Sequence, residues 1–409
     1  MAPHPARTAR TWLRSRRFGA LYDCVAVNVY DSVPDNEIGQ FILSIGLWRR
    51  PRIGCTLSPP EGRDRVGIRE LAKHLNISIG TVSRALNGRG DVNSETRRRV
   101  LEAAAELGYS PNQSGRALRQ GSTNAIAFML QTYSGAELYG EPFFMGLFGG
   151  VQQALGRHGL DLIVLLNTPD GDQEAQLRRV VERRLADGIL LPWTRRVDPR
   201  LDYLLDRRFP FAALGRSLSG GEHPWLDLNF EQAADVAVDR FVGFGHRRIG
   251  LANNGHDLMH AHILLDGWRR ALARHGIAFD ESLVRTEEMT EAGGYRLASG
   301  FLEQGPLPTA LLVANERMAV GVYRRLNEAG VRPGRDIAII GGMIDSPASR
   351  FLSPALTCFR LSLHDLGVKL AEALLATMPG HAESYDGLVQ DLWPLELMPR
   401  ESDRVVPGG

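Results

Sequence analysis

The sequence predicts a mixed α/β protein in which a small all-α head precedes a larger, two-lobed body built on parallel sheets. With 409 residues the chain is too long for one compact core. Residues 66–108 have the pattern of three short amphipathic helices, and from residue 124 onward short apolar runs alternate with helical patterns. Apolar strands that alternate with crossover helices form parallel sheets, and a body of this length most simply makes two lobes with a cleft between them.

The composition limits the kinds of site to expect. The formal net charge is only +1, so any attraction to nucleic acid depends on a local concentration of arginine. The three cysteines, Cys24, Cys55 and Cys358, lie far apart, which argues against a disulfide framework or a thiolate zinc site and suits a reducing cytoplasm. No apolar run reaches the roughly 18 to 20 residues that span a bilayer, so no membrane partner is expected.

Residues 1–64 have no periodic pattern and stand apart from the rest of the chain. They contain several arginines, but no apolar core followed by a cleavage site for secretion. No methionine lies between Met1 and Met129. We expect this extension to be disordered or the product of an upstream start assignment, and a functional basic arm is the alternative.

The helices of the head are predicted from the spacing of apolar residues. The first has one buried stripe at intervals of three and four residues, namely Ile68, Leu71, Ala72 and Leu75. Ser78 can cap a second helix over residues 79–86, which Asn87 and Gly88 would end. Ser94 can cap a third helix whose expected inward side chains are Val100, Leu101, Ala104 and Leu107. The result is a tight turn between two short helices, followed by a third helix.

The head also carries a local excess of positive charge. Between residues 65 and 121 the chain has ten arginine and lysine residues against five aspartate and glutamate residues, an excess of +5. An excess of this size suits contacts to DNA phosphates, and such binding weakens as salt rises. Three short helices are equally compatible with a generic bundle that binds no DNA.

Four ordered runs in this region resemble the head of LacI-family transcription repressors. They are residues 68–72 (IRELA), 77–87 (ISIGTVSRALN), 92–100 (VNSETRRRV) and 107–112 (LGYSPN). The resemblance implies a helix-turn-helix DNA-binding domain over residues 65–110, whose second helix enters the major groove. It places Ile79, Gly80 and Arg84 at base-reading positions. It places Thr81 and Ser83 against the DNA backbone.

Base readout is expected to depend mainly on two side chains of this second helix. Arg84 can donate two hydrogen bonds to guanine, and Ile79 can contact a thymine methyl group. Gly80 has no side chain, so readout should rest on few contacts. Burial of Ile79 within the head is the alternative interpretation of that residue.

Residues 111–121 follow the head as a segment of barely two helical turns with no apolar stripe. Helices this short are marginal in water, and Gly115 lowers helix stability by a further ~1 kcal/mol relative to alanine. The segment resembles the family's hinge helix. In that family the hinge helix becomes ordered in the minor groove of the operator, where it packs against the hinge helix of the other subunit. That resemblance implies DNA contacts by Asn112, Leu118 and Arg119, with Leu118 as the wedge at a base step. A solvated linker is the alternative.

Runs in the body resemble the sensor domain of the same family, which shares its fold with periplasmic sugar-binding proteins. The matching runs include residues 141–144 (EPFF), 187–190 (DGIL), 245–251 (GHRRIGL), 314–319 (ANERMA) and 352–357 (LSPALT). The resemblance covers roughly residues 66–400 and implies an effector-binding and dimerisation domain over residues 122–400. Since the chain of this architecture crosses between its lobes three times, we place residues 122–225 and 350–380 in one lobe and residues 226–349 in the other.

The resemblance carries several ligand-binding positions over to this chain. Aromatic rings at Phe143 and Phe144 suit the apolar face of a sugar, although buried packing explains both residues equally well. Arg216 follows a predicted strand and can anchor an anionic or polyhydroxy ligand. The usual Asn-Asp pair of the family is Asn315 and Glu316 here, and the last expected ligand residue is Asp345.

Three positions depart from the family pattern and bear on the ligand. Leu264 stands where an arginine is usual, Ile344 replaces the first of two aspartates, and Asn229 stands where aspartate is common. The cleft should therefore be more apolar and less acidic than is usual. We favour a sugar as the effector, and an aromatic or otherwise less hydroxylated metabolite is the alternative.

Nothing in the sequence favours catalysis, a cofactor or a metal. His256, His260 and His262 lack a carboxylate at a suitable offset, and Gly341-Gly342 is not followed by the Gly-Lys-Ser/Thr run of a phosphate cradle. We therefore expect a cytoplasmic, homodimeric, effector-gated repressor that binds double-stranded operator DNA and is not an enzyme. A sugar-binding or sugar-processing protein with an incidental helical head is the alternative.

Overall fold

The computed structural model describes residues 67–86, 91–109, 122–131, 141–168, 171–255, 257–385 and 387–404. The chain forms two compact units, Met1–Tyr109 and Ser110–Gly409. The head is the described part of the first unit, and the two-lobed body is the described part of the second. The predictions for the extension 1–64 and for the hinge 111–121, with its DNA contacts, lie outside the described residues, and so do those for Asn87, Gly88 and His256.

The head consists of α1 (Ile68–Leu75), α2 (Ile79–Leu86) and α3 (Ser94–Glu106). Asn76 ends α1 in the left-handed conformation at φ 53°, which asparagine tolerates better than most residues, and this turns the chain into α2. All three helices contribute to one small core, whose buried members are Leu71, Ala72, Val82, Ala85, Val100, Ala103 and Ala104. The three predicted helices are therefore confirmed.

The caps and the inner face of α3 differ in part from the prediction. The Oγ of Ser78 accepts the N–H of Thr81 at 3.0 Å and caps α2, as predicted. Ser94 does not cap α3, because the Oδ1 of Asn93 accepts the N–H of Glu95 at 2.8 Å one residue earlier in the chain. The prediction that Leu101 faces inward is also wrong, since this side chain is 49% exposed. The buried residues of α3 are Val100, Ala103 and Ala104, which are spaced by three and four positions, and Leu101 lies outside this stripe.

The first lobe is built on a six-stranded parallel sheet. Its strands are β1 (Ala125–Gln131), β2 (Asp161–Asn167), β3 (Gly188–Pro192), β4 (Phe211–Leu214), β5 (Trp225–Leu228) and β11 (Gln390–Trp393). They lie in the order β11-β5-β4-β3-β1-β2. The sheet is covered by α4 (Glu141–Gly156), α5 (Gln173–Glu182), α6 (Pro199–Asp206) and α12 (Leu363–Leu375). Strands β1 and β3 are almost wholly buried, as expected for central strands with helices on both faces.

The second lobe has a four-stranded parallel sheet in the order β7-β6-β8-β9. Its strands are β6 (Ile249–Asn254), β7 (Val284–Glu287), β8 (Ala310–Val313) and β9 (Ala338–Gly341). Its helices are α7 (Phe230–Gly243), α8 (Met259–Arg274), α9 (Glu291–Glu303), α10 (Glu316–Glu328) and α11 (Pro347–Phe351), with a 3-10 turn at Glu281–Leu283. A short antiparallel pair joins β10 (Cys358–Arg360) to β12 (Glu396–Met398). The predicted α/β class with parallel sheets is thus confirmed.

The chain crosses between the lobes three times, as predicted, but the predicted assignment of segments to lobes is partly wrong. Strand β5 pairs with β4 and belongs to the first lobe. Residues 350–360 belong to the second lobe, where the N–H of Phe359 donates to the carbonyl of Gly342 at 3.1 Å. The last described residues return to this lobe as well, since the Oγ of Ser402 donates to the carbonyl of Ile339 at 2.6 Å. None of the helices in the described ranges is long and apolar enough to cross a membrane.

Candidate functional site

Helix α2 presents one exposed face on the head. Ile79 is 45% exposed, and Gly80 and Arg84 are exposed beside it. A Cβ built at Gly80 would meet only Ser78 Oγ at 3.7 Å and Arg84 Nη2 at 3.9 Å, so the surface there is open. The three predicted base-reading positions therefore lie together on the outer side of the helix. Burial does not account for Ile79.

The two predicted backbone contacts lie on the same helix. Thr81 and Ser83 are both half-buried. The Thr81 Oγ1 lies 2.8 Å from the Oγ of Ser78, so this hydroxyl takes part in the cap of the helix. These positions flank the exposed face rather than form its centre.

Arg84 has an acidic neighbour in the head. Its Nε lies 3.7 Å from the Oδ2 of Asp91, and the two side chains are 50% and 57% exposed. Exposed ion pairs of this kind contribute roughly 0 to 1 kcal/mol, so Arg84 can exchange this partner for another at little cost.

Part of the positive charge of the head is already neutralised within it. Arg98 binds Glu95 at 2.6 Å and Glu102 at 2.8 Å along α3. Most of the excess of +5 between residues 65 and 121 comes from four arginines that lie outside the described residues, Arg65, Arg89, Arg116 and Arg119.

A cavity of about 120 Å³ lies between the two lobes of the body. Its walls include the segments that follow β3, β4 and β5 in the first lobe and β8 and β9 in the second lobe. This agrees with the general rule that ligands of parallel α/β sheets bind at the carboxyl ends of the strands. Aromatic side chains form much of the wall, and its polar groups are few. The polar side chains that line it are Thr194, Asp227, His260, Asn315 and Glu316.

Four of the six predicted ligand residues line this cavity, namely Phe143, Phe144, Asn315 and Glu316. Phe144 is only 2% exposed and makes edge contacts with Phe128 and Trp193 at ring distances of 5.5 and 5.7 Å. It therefore serves both the core and the cavity wall. The Oδ1 of Asn315 accepts the N–H of Arg317 at 2.8 Å and caps α10. This hydrogen bond fixes Asn315 near the carboxyl end of β8.

Arg216 does not line the cavity but holds a residue that does. Its Nε donates to Asp227 Oδ2 at 2.8 Å, and its Nη2 donates to both carboxylate oxygens of Glu231 at 2.9 and 3.0 Å. The guanidinium also lies over the ring of Trp225, 5.7 Å from its centre. Arg216 thus orients the Asp227 carboxylate, which faces the cavity.

Asp345 lies apart from the cavity lining and is held by two arginines. Its Oδ1 accepts a 2.5 Å hydrogen bond from Arg400, and its Oδ2 accepts one from Arg350 at 3.1 Å. Burial tends to raise the pKa of Asp345, but the hydrogen bonds and charges of these two arginines outweigh it and lower the pKa below its usual range. This carboxylate ties Arg400, which follows β12, to Arg350 of α11.

The cavity wall contains aromatic residues that the sequence analysis did not single out as ligand contacts. Trp193 follows β3, and Phe230 begins α7. The ring of His260 stacks on Phe230 with centres 5.2 Å apart and lies 5.9 Å from Trp193. The position of Trp193 directly after a predicted strand was a usable signal, whereas the stacking of His260 depends on the packing of α8.

The departures from the family pattern are visible at this site. Ile344 lines the cavity, and Leu264 is fully buried on α8. The Oδ1 of Asn229 accepts the N–H of Gln232 at 3.0 Å and so caps α7. His262 binds Asp257 at 2.8 Å, and no three His, Cys, Asp or Glu side chains in the described ranges are grouped as metal ligands.

Two buried carboxyl groups that face the cavity have raised pKa values. Burial raises the pKa of Asp227 to about 6, although the hydrogen bonds and charge of Arg216 oppose the shift. Burial raises the pKa of Glu316 to about 7, with its own backbone N–H and the charge of Arg317 acting in the opposite direction. The cavity therefore holds carboxyl groups whose protonation changes near neutral pH.

Replacing Glu316 with glutamine is expected to stabilise the protein by roughly 3 kcal/mol at pH 8 and by less than about 1 kcal/mol near pH 5. The unfolded carboxyl ionises near its ordinary pKa of 4.5, but the folded one keeps its proton up to about pH 7. The cost of burying the carboxylate therefore grows as pH rises between these values. Urea unfolding at both pH values measures the effect, with the exposed Glu303→Gln as control. An equal difference at pH 5 and pH 8 would contradict the assignment.

Comparison with known protein families assigns both units. A model described as bacterial regulatory proteins, lacI family, matches residues 67–112, and a periplasmic binding protein-like domain matches residues 238–402. The HTH-type transcriptional regulator AglR of Rhizobium meliloti (strain 1021) is 33% identical over 345 residues, which covers 84% of this chain and 95% of AglR. The regulator CelR of Thermobifida fusca is 29% identical, covering 84% of this chain and 99% of CelR.

Solved structures agree with these matches. A transcriptional regulator CelR-cellobiose complex is 27% identical with a TM-score of 0.63, covering 82% of this chain and 99% of that one. The lac repressor dimer bound to operator and the anti-inducer ONPF has a TM-score of 0.71 at 24% identity and coverage of 82% and 98%, and it supports the fold. The exposed α2 face and the interlobe cavity agree with the family match, and AglR is similar to this chain over most of its length. The chain therefore belongs to the lacI family of bacterial regulatory proteins and is a helix-turn-helix transcription regulator.

Proposed function

We propose that this regulator is a repressor that binds operator DNA as a homodimer and responds to a carbohydrate effector in the interlobe cavity. The observation that carries the proposal is the presence, in one chain, of an exposed α2 face in the helix-turn-helix head and a cavity walled by aromatic and acidic side chains. The proposal divides the chain into the extension 1–64, the DNA-binding domain 65–110, the hinge 111–121 and the sensor 122–400. Its action lies in the cytoplasm, where bacterial DNA is, and it includes no catalysis.

The DNA contacts of this proposal fall into two groups. In the major groove Arg84 and Ile79 read base edges beside the open surface of Gly80, while Thr81 and Ser83 meet the backbone. In the minor groove the hinge contributes Asn112, Leu118 and Arg119, as its resemblance to the family implies. The exposure of the α2 face supports the first group.

A carbohydrate suits the chemistry of the cavity. The faces of Phe144 and Trp193 can pack against the apolar face of a sugar ring. The carboxyl groups of Asp227 and Glu316 can bind hydroxyl groups, and Arg216 holds the first of them in place. The complex of CelR with cellobiose, from a relative of this chain, gives further support.

An aromatic or less hydroxylated effector is a second candidate, which a specific feature favours. Ile344 lines the cavity where the family pattern has an aspartate, so one polar clamp on a hydroxylated ligand is missing. A glycoside with an apolar aglycone would satisfy both the aromatic wall and the remaining acids.

An electrophoretic mobility shift with the full chain and DNA from upstream of its own gene tests the proposal. We expect a shift that resists non-specific competitor DNA and weakens as salt rises. Cellobiose, sucrose, glucose and phenyl β-glucoside are added in turn, and at least one should change the shift at millimolar concentration. Absence of any specific shift at low salt would refute DNA recognition. Consumption of the added sugar, followed by chromatography, would favour the sugar-processing alternative instead.

A surface of the first lobe supports the homodimer. Strand β2 lies at the open edge of its sheet, with Val164 39% exposed and Leu166 50% exposed. These two side chains point to the same face because side chains alternate along a strand. Helix α4 contacts β2 and carries a further exposed apolar side chain, Met145, which is 57% exposed. A second copy suits such an apolar surface, since two heads are needed to read a near-palindromic operator.

Val164→Arg is therefore expected to dissociate the dimer. In an interface between identical copies, the arginine of one copy lies near the same arginine of the other, and the two positive charges repel each other. Each arginine must also lose its bound water to be buried among apolar side chains. Sedimentation velocity should show mostly monomer at micromolar concentration, where the unmodified protein is a dimer. Leu205→Arg on α6 is the matched control, because Leu205 has the same exposure of about 40%. A variant that stays dimeric, or a stable tetramer of the unmodified protein, would contradict this interface.

A further inference from the structure

A pair of backbone segments bridges the two lobes beside the cavity. Residues 193–196 follow β3 in the first lobe, and residues 257–259 lead into α8 in the second, with Met259 as the first residue of the helix. The N–H of Met259 donates to the carbonyl of Thr194 at 2.9 Å, and the N–H of Arg196 donates to the carbonyl of Asp257 at 3.3 Å. Between them Arg195 and Leu258 face each other as an antiparallel β-bridge. These contacts are separate from the three covalent crossings of the chain.

The first-lobe segment of this bridge is fixed by hydrogen bonds to other residues of the same lobe. The Nη2 of the buried Arg200 donates to the carbonyl of Trp193 at 2.9 Å, and the N–H of Arg195 donates to the buried Asp198 at 3.1 Å. The Oγ1 of Thr194 donates to the carbonyl of Arg216 at 2.7 Å. Trp193 itself has φ 58°, a left-handed conformation that is costly for a bulky residue and persists only where its surroundings impose it.

The bridge also forms part of the cavity wall. Trp193 and Thr194 line the cavity from the first lobe, and His260, the residue after the bridge, lines it from the second lobe. The rings of Trp193 and His260 lie 5.9 Å apart. Any separation of the lobes at this side of the cavity has to break the hydrogen bonds of Met259 and Arg196 first.

We propose that residues 193–196 and 257–259 form a latch that holds the lobes closed and gates access to the cavity. The role of the latch in effector release rests on the function proposed above, but its opening and closing do not. The tryptophan supplies a fixed wall for a bound molecule, and the backbone hydrogen bonds supply the closing force. A ligand that contacts both Trp193 and His260 stabilises the closed latch.

Met259→Pro tests the latch with little disturbance of the fold. Met259 is the first residue of α8, where the helix provides no acceptor for its N–H and where proline is tolerated. Leu258 before it has φ −90° and ψ 135°, the extended conformation that a residue preceding proline prefers. The proline therefore removes the donor to Thr194 together with the methionine side chain, which packs against the core. Met259→Ala keeps the N–H and is the matched control.

Access to the cavity is measured with a thiol placed inside it. Met289 lines the cavity and is 5% exposed, so Met289→Cys gives a buried thiol whose alkylation by iodoacetamide reports opening. In this background Met259→Pro should raise the alkylation rate about fivefold over Met259→Ala, as expected for the loss of one hydrogen bond. The same protein without Met289→Cys gives the rate of the other cysteines. Equal rates in the two variants would overturn the proposal.

Hydrogen exchange in the unmodified full chain provides a second test that needs no variant. The first N–H of a helix has no partner within the helix, so the amide of Met259 is protected only if the latch forms. We expect its exchange to be slowed at least fivefold relative to the unstructured rate. Unprotected exchange at Met259 would overturn the proposal even if a variant fails to fold. Neither measurement uses DNA or effector, so failure of the latch and failure of the proposed function are distinguishable.

Discussion

Replacing Asp198 with alanine is expected to destabilise the body by about 3 to 5 kcal/mol, because it leaves a buried arginine without its counter-charge. Asp198 is 0% exposed and Arg200 is 4% exposed. The guanidinium donates to both carboxylate oxygens, from Nε at 2.9 Å and from Nη2 at 2.7 Å. Asp198 also caps α6 by accepting the N–H of Arg200 at 3.1 Å.

The effect of the cap can be separated from that of the ion pair. Asp172 caps α5 by accepting the N–H groups of Glu174 and Ala175 at 2.9 and 3.0 Å, but it is exposed and has no arginine partner of this kind. Asp172→Ala should therefore cost only about 1 kcal/mol, as the loss of a cap does. Urea unfolding at pH 7 compares the two variants. Equal losses would mean that the buried pair contributes nothing beyond the cap.

The pH dependence gives an independent check on Asp198. Burial by itself raises the pKa of Asp198, but the hydrogen bonds and charge of Arg200, with the N–H groups of Arg195 and Arg200, outweigh it and lower the pKa. A lowered folded pKa stabilises the protein above the ordinary pKa of about 3.9, and the contribution is lost as pH falls through the folded value. The unmodified protein and Asp198→Ala should therefore differ most near neutral pH and converge in acid.

The helices of the head and the buried strands were predictable because their signals are local. In α1 the apolar residues Ile68, Leu71, Ala72 and Leu75 recur at intervals of three and four, and strands such as β1 and β8 are continuous apolar runs. Strands β5, β7, β10, β11 and β12 were not predicted. They have three or four residues each, and β7 and β11 lie at sheet edges where polar side chains meet water, so neither an apolar run nor an alternation marks them.

The candidate site was predictable where it follows strands and not where it depends on pairing. Asn315 and Glu316 follow the carboxyl end of β8 after one intervening residue, and ligands of parallel sheets bind at the carboxyl ends of the strands, so their place at the cavity was predictable. Arg216 follows β4 in the same way, but its partners Asp227 and Glu231 come from β5 and α7, and spacing alone does not reveal them. Sequence reasoning likewise gave no sign that residues 193–196 meet residues 257–259 across the lobes.

Replacing Arg84 with alanine is expected to reduce discrimination at one operator base pair by roughly 1 to 3 kcal/mol, about 5- to 150-fold. Arg84 lies on the exposed face of α2, where its guanidinium can donate two hydrogen bonds to one guanine. Among the described residues of the head, its ionic partner is Asp91, whose Oδ2 lies 3.7 Å from the Nε of Arg84, and this contact is weak. Binding to non-specific DNA should change less, because that binding depends on phosphate contacts spread over the whole interface.

Asp91→Ala is the matched control for this measurement. It removes the acidic neighbour of Arg84 and leaves the Arg84 side chain in place. Operator affinity should stay unchanged or rise slightly, since Arg84 no longer gives up an exposed ion pair, worth at most about 1 kcal/mol, when it binds DNA. A large loss of affinity in Asp91→Ala would mean that this pair orders the reading helix.

Fluorescence anisotropy with a set of operators, each changed at one base pair, separates the possible roles of Arg84. If Arg84 reads a guanine, the unmodified protein loses affinity at one position per half-site, and Arg84→Ala loses that preference while it keeps the others. If Arg84 binds phosphate, the variant binds every operator less tightly by the same factor. The slope of the logarithm of affinity against the logarithm of salt concentration then becomes shallower by about one, because one fewer counterion is released. The second result would leave Ile79 as the remaining base-reading side chain of the exposed α2 face.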